Sequence, residues 1–191
     1  NIMKKRLFLS AVTLIVALTT TFAQKLEINP ASSSIHWVGK KVTGEHSGNI
    51  NLKSGSLSLT AGKISGGEFV VDMTSITDTD MPAGEWNDKL VGHLKSDDFF
   101  GTATHPESKL VITSATTDAT GNVAIKGVLT IKGINQLTEF IAVPTADGYS
   151  ALITIDRTKY DIKYGSGQFF DSLGDKAIAD EFTLDIKIAT K

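Results

Sequence analysis

The stretch Val123-Ala124-Ile125-Lys126-Gly127-Val128-Leu129-Thr130-Ile131, followed by Lys132-Gly133, decides the fold class. Val123, Ile125, Leu129 and Ile131 alternate with Ala124, Lys126, Val128 and Thr130, the period of a strand with one buried face. Gly127 interrupts the run. A glycine inside a strand marks a bulge, a bend or a close backbone approach. The same alternation recurs over residues 35–42, 69–73, 109–116, 149–155 and 182–188. Turn-forming residues lie between the runs: Thr43-Gly44, Lys53-Ser54-Gly55, Ala61-Gly62, Thr120-Gly121-Asn122, Lys132-Gly133 and Asp147-Gly148. About eight strands at this spacing, without alternating helices, predict an all-β meander closed into a barrel or sandwich.

One segment departs from period two. Trp86, Leu90, Val91 and Leu94 fall at four- and three-residue steps, which predicts a helical excursion over about 85–95. Pro82 and Gly84 bound it on one side, Gly101 and Pro106 on the other. Residues 24–191 therefore form a single domain, with no linker, low-complexity tract or internal repeat.

The first 23 residues read differently. From Met3 they run through Lys4, Lys5 and Arg6, an apolar stretch from Leu7 to Leu18, and a polar end closing on Phe22-Ala23. An apolar run of about a dozen residues suits a signal peptide and falls short of the roughly 18–20 that span a bilayer. Cleavage after Ala23, a periplasmic or secreted location, and no stable membrane span in the mature form are the expectations. Asn1 and Ile2 precede the natural start on this reading.

Three of the 19 basic residues precede Gln24 and all 21 acidic residues follow it, so the exported part carries 16 against 21, a net −5. That balance provides no footprint for nucleic acid. With no cysteine, disulfides and thiolate metal sites are excluded.

Catalytic patterns are scarce. His36, His46, His93 and His105 show no HExxH or HxH spacing, and there is no G-x-S-x-G elbow. His36 and His46 lie on adjacent strand candidates, with Glu45 and Asp72 as further ligands of a metal-assisted hydrolase or isomerase. No metal, cofactor or catalytic site is the leading expectation, and that enzyme is the alternative. Gly66-Gly67 and Gly165-Ser166-Gly167 lack the lysine and strand-to-helix setting of phosphate loops. The acids Asp78, Asp80, Glu85 and Asp88 lack EF-hand spacing and read as a solvated rim. Arg157, the one arginine after Gln24, reads either as a head-group ligand near a rim or as a surface ion-pair partner. Around residues 137–143, either Leu137, Ile141 and Val143 face inward or Thr138, Phe140 and Ala142 do, because a one-residue slip inverts the set.

The order of motifs resembles the YceI-like family of periplasmic lipid-binding, or polyisoprenoid-binding, proteins. The resemblance rests on His93-Leu94-Lys95-Ser96-Asp97-Asp98-Phe99-Phe100 with His105-Pro106, where His105 stands at a position more often tyrosine. It also rests on the segments 67–76, 127–133 and 155–162, in that order. The resemblance implies an extended, eight-stranded antiparallel, lipocalin-like barrel holding one long apolar molecule, an isoprenoid, quinone tail or fatty acyl or amide chain.

Mapped onto this sequence, the lumen and mouth comprise Trp37, Phe69, Val71, Met73, Leu129, Ile131, Phe140, Ile153 and Phe182 and the helix residues Trp86, Leu90 and Leu94, and the pairs Phe99-Phe100 and Phe169-Phe170 are placed at the mouth by their irregular segments beside glycines. The resemblance also favours Phe140 inward and Glu139 outward. The segment 165–176 departs from the family pattern and either lids the cavity or joins two strands. A ligand-free structural or interaction barrel is the remaining alternative, and pairing of two barrels into a homodimer is open at this stage.

Overall fold

A computed structural model describes residues 23–191. The expected signal segment, through residue 22, lies outside the described residues. Eight antiparallel strands follow one another in chain order: β1 (Gln24–Lys41), β2 (Gly44–Thr60), β3 (Lys63–Asp78), β4 (Glu107–Thr117), β5 (Val123–Ile131), β6 (Ile134–Pro144), β7 (Gly148–Asp156) and β8 (Ile178–Thr190). Each pairs with its chain neighbours, and β8 returns to β1 with Ile35 opposite Ile186 and Trp37 opposite Leu184. The barrel is closed. Closure removes the unpaired edges that an open sheet exposes to other chains.

The expected turns at 43–44, 61–62, 120–122, 132–133 and 147–148 all fall between or at the ends of strands. Lys53-Ser54-Gly55 does not turn the chain. It lies within β2, where the pairing with β3 skips from Leu52–Val71 to Ser54–Val70, a bulge. A second irregularity, between Asn29 and Ser34 of β1, surrounds Pro30, which has no N–H to give to the ladder. There Asn29 Oδ1 accepts from the Ala31 amide and Ser33 Oγ accepts from the Ala189 amide.

Gly127 permits a close approach: a Cβ on it would stand 2.7 Å from the Val111 carbonyl oxygen. Gly48 is tighter still, at 1.8 Å from the Thr77 oxygen. It pins β2 onto the end of β3.

The helix α1 (Glu85–Lys95) forms where expected and packs on β3. Glu85 and Asp88 in its first turn and His93 and Lys95 in its last oppose the helix dipole, and Lys89 pairs with Glu85 at 2.7 Å. The inward side chains form two apolar clusters. One centres on Ile28, Leu57, Val123 and Ile125, the other on Phe99, Ile131, Ile155 and Ile162, and Leu94, Phe100 and Phe140 pack against both.

One junction differs from the rest. β6 and β7 pair only at Val143–Ser150 and Pro144–Tyr149, near their shared turn. Farther along, the 3-10 turn Arg157–Tyr160 approaches β6, and Gln136 Nε2 donates to the Lys159 carbonyl across the gap at 2.9 Å.

Candidate functional site

Inside the barrel lies a cavity of about 370 Å³ walled almost entirely by apolar side chains. Of the residues expected there, Trp37, Phe69, Val71, Met73, Leu90, Leu94, Phe99, Phe100, Leu129, Ile131, Phe140, Ile153 and Phe182 line it. The side chains of these eight strands therefore do not fill the lumen.

The phase of β6 is settled. Thr138, Phe140 and Ala142 face the cavity, whereas Leu137 is 85% exposed and Ile141 and Val143 are also exposed. Glu139 points outward and pairs with Lys126 at 2.9 Å.

Three expected residues do not line the lumen. Trp86 is 73% exposed, with Lys89 Nζ 4.7 Å from its ring centre. Each four-residue step carries a helical side chain about 40° beyond a full turn, so Trp86 points about 80° away from Leu94. Phe169 and Phe170 are half exposed. Their amides both donate to the Ser166 carbonyl, and with Ser166 fully buried this turn holds the two rings on its outer side. Their segment joins β7 to β8.

Other wall residues were not legible. Ile50, Leu52 and Leu57 of β2 and Ile64 and Ile76 of β3 face the cavity, which also reaches Lys40, Lys41, His46 and Glu181. In the register Gly39 lies opposite both His46 and Phe182, and Lys41 lies opposite Ile178, so these polar residues share one end of the barrel. They form a charged rim around an apolar shaft.

Arg157 is neither a surface ion-pair partner nor a free head-group ligand. It is 3% exposed, and its guanidinium donates to the carbonyls of Ile162, Tyr164, Ile178 and Ala179 at 2.8–3.0 Å. Burial lowers its pKa, while Asp180, 3.6 Å away, and Asp156 oppose that shift. The arginine ties the chain after β7 to the start of β8. Beside it Tyr160 is buried, and desolvation, followed by the charge of Asp156, pushes its hydroxyl up to about 12.

The pairing of His36 with His46 that the enzyme alternative needs is not found. His36 Nδ1 meets Asn49 Oδ1 at 3.1 Å in an exposed position, Glu45 faces Lys40, and Asp72 is held by Thr74. Instead His46 joins Asp78 and Asp80, with one potential ligand atom of each within 4.8 Å of the others. Asp78 is also not part of a solvated rim, being only 8% exposed. Its Oδ1 accepts from the Met81 amide and from Asn87 Nδ2, both at 3.0 Å, and its buried Oδ2 has no hydrogen-bond partner. Leaving such an acceptor unpaired costs on the order of 1–3 kcal/mol, more when it is charged. Burial, then the neighbouring Asp80 carboxyl, raises the Asp78 pKa. Burial acts to raise Asp80 too, but the Ser47 amide, Asp78 and His46 outweigh it and hold Asp80 at about 2.

The match to known families fits this architecture. The YceI-like domain model aligns with residues 26–190, from the third residue of β1 to the end of β8. The chain belongs to the YceI-like family.

A UPF0312 protein of Shewanella denitrificans is 33% identical over 101 residues, 53% of this chain and 50% of that protein, so the match spans about half the length of the curated relative. Among solved structures, Burkholderia cenocepacia BcnA superposes with a TM-score of 0.68 at 17% identity, covering 86% of this chain and 99% of that one. A polyisoprenoid binding domain from Saccharophagus degradans, implicated in plant cell wall breakdown, gives 0.60 at 14% identity, covering 87% and 97%. At these identities the likeness is one of fold.

In this YceI-like barrel the motif at 93–106 has a structural logic. Ser96 caps α1, donating from its hydroxyl to the His93 carbonyl at 2.7 Å and from its amide to the same oxygen. The Phe99 and Gly101 amides then donate to the Ser96 carbonyl, and the Phe100 amide to that of Leu94. This tight reversal turns both phenyl rings into the lumen. His93 packs edge-on against Phe99 and Tyr164, at 4.9 and 4.5 Å between ring centres.

Proposed function

We propose that this YceI-like protein binds one long apolar molecule, an isoprenoid, quinone-tail or fatty acyl or amide chain, within the barrel, and carries or sequesters it in the periplasm or outside the cell. The observation that carries this reading is the cavity itself, apolar along its shaft and charged only at one rim. A protein gains nothing in stability by leaving such a space unpacked, since interiors otherwise fill to the density of organic crystals. The Saccharophagus degradans domain of the same fold, a polyisoprenoid binding domain, supports the same ligand class. The signal-like segment before Gln24 supports export.

The energetics are adequate. A micromolar complex needs about 8 kcal/mol net, and with an association cost of about 6 kcal/mol the gross gain must reach about 14. At about 0.8 kcal/mol per buried methylene, roughly 18 carbons provide it, three to four isoprene units. The charged rim of Lys40, Lys41, His46 and Glu181 suits a polar head left at the opening, because burying such a head without partners is unfavourable.

Native mass spectrometry of protein purified from its host tests this directly. The expected spectrum shows a co-purifying lipid that is lost on delipidation and replaced stoichiometrically by added ubiquinone. A protein that arrives without lipid and takes up neither a quinone nor a long-chain fatty amide refutes the proposal.

A further inference from the structure

We propose that His46, Asp78 and Asp80 form a binding site for a divalent first-row cation, zinc or manganese, at the rim of the barrel. The three donors come from two elements that Gly48 clamps together: His46 from β2, Asp78 from the last position of β3, and Asp80 from the segment just after it. Gly48 pairs with Asp78 in the register, so the close approach of the two backbones fixes the distance between the histidine and the carboxylates.

The carboxylates are arranged as ligands are. Asp78 has one oxygen committed to Met81 and Asn87, which orients the group from behind. Its other oxygen is buried, unpartnered and set against Asp80. Asp80 is oriented in the same manner, its Oδ1 accepting from the Ser47 amide at 2.7 Å, while its Oδ2 meets His46 Nδ1 at 3.0 Å. Metal-binding carboxylates and imidazoles are characteristically held by such outer hydrogen bonds.

Among the described residues, His46 is the only basic side chain paired with either acid. Two carboxylates in contact, one withdrawn from water, require a positive charge or a shared proton between them. A divalent cation satisfies both acids at once.

The spacing is suitable. A tetrahedral centre with bonds of about 2.1 Å separates its ligands by about 3.4 Å. The donor atoms now lie within 4.8 Å of one another, so drawing them onto an ion beside Asp78 needs shifts of about 1.4 Å or less, and His46 and Asp80, with side chains 29% and 32% exposed, are not locked in place by full burial. Two oxygens and one imidazole nitrogen, without thiolate, suit zinc or manganese and leave at least one coordination position open. His46 also lines the lumen, so that position lies beside the rim. The site does not depend on what occupies the shaft.

Isothermal titration of the chelator-treated protein with zinc chloride, repeated with manganese chloride, tests the assignment. One ion per chain with micromolar or tighter affinity is expected. Asp80→Asn and Asp78→Asn should each weaken binding at least tenfold, and His36→Ala should leave it unchanged. Thermal melts without metal establish that each variant is folded. Should Asp78→Asn fail to fold, the partly exposed Asp80 carries the test alone. Broadening of the His46 ring resonances by substoichiometric manganese gives an independent readout. No binding below millimolar metal overturns the proposal. So does binding that survives Asp80→Asn, which would place the ion elsewhere, and so does a rise in stability on Asp78→Asn with no ion bound by the parent, which would mark a proton-sharing acid pair.

Discussion

Replacing Arg157 with methionine should destabilise the barrel by about 4 kcal/mol. Methionine keeps much of the apolar volume but removes donors that satisfy four carbonyl oxygens, of Ile162, Tyr164, Ile178 and Ala179, and it leaves Asp180 without its cation. Hydrogen bonds to a charged group contribute roughly 1.5–3 kcal/mol each, so four at the lower figure give about 6. Relief from burying a guanidinium returns part of that, bringing the loss into the range of about 3–5 kcal/mol measured when one partner of a buried ion pair is deleted. For a domain of this size the melting temperature should fall by roughly 8–16 °C. Urea unfolding followed by circular dichroism measures the change. Arg157→Lys should recover less than half of the loss, since one ammonium cannot reach four diverging carbonyls. If Arg157→Met unfolds within about 1 kcal/mol of the parent, the residue is not the clamp described, and the chain between β7 and β8 is held by its own packing.

Thr138→Trp, which points a large ring into the shaft, should abolish uptake of a long-chain fluorescent fatty acid while costing at most about 3 kcal/mol, whereas Leu137→Thr on the outer face should alter neither uptake nor stability. Tyr160 is raised from 10 to about 12 in the folded chain, so its contribution is complete below pH 10 and is lost as pH rises through about 12; urea midpoints should record a loss of roughly 2–3 kcal/mol across that window, absent in Tyr160→Phe. Gly48→Ala, whose Cβ would stand 1.8 Å from the Thr77 oxygen, should destabilise by at least about 2 kcal/mol in thermal melts, while Gly92→Ala, in the open on α1, should stabilise by about 0.5–1 kcal/mol.

The contrast between strands explains what the sequence reveals. β5 and β6 pair without a register shift from Val123–Ala142 to Ile131–Ile134, so Val123, Ile125, Leu129 and Ile131 keep one phase across Gly127 and the alternation is legible. β2 is as long as any strand but for one, yet its inward set changes phase from Ile50 and Leu52 to Leu57, because the bulge at Lys53 inserts one extra residue. A search for period two across that point finds no consistent face and reads Lys53-Ser54-Gly55 as a turn. β3 changes phase similarly, from Phe69, Val71 and Met73 to Ile76 and Asp78. Asp78 is buried for that reason, although in sequence it is one of four neighbouring acids with nothing to distinguish it.

The family motif made Phe99 and Phe100 recognisable, because a cap and a tight reversal are local. The helical period separates Trp86 from Leu94, but nothing local shows which end of that stripe meets the lumen, or that Ser166 faces the two phenylalanines after it outward. The Arg157 contacts join residues up to 22 positions apart, a relation fixed by how the last crossing packs. The signal for it was present only as the one arginine after Gln24, among lysines.

The sparse pairing of β6 with β7 gives the barrel an unequal mechanical resistance. Around most of the circumference, widening the wall means breaking a ladder of many hydrogen bonds at once. At this seam it means separating two residue pairs and one side-chain bridge, Gln136 to Lys159. Fluctuations in girth therefore concentrate there, and backbone amides on the two facing edges should exchange with deuterium earlier than those of β1 and β2. The closed wall therefore yields most readily along one line, between β6 and β7, and a long chain of the kind proposed for the lumen would meet its least resistance there.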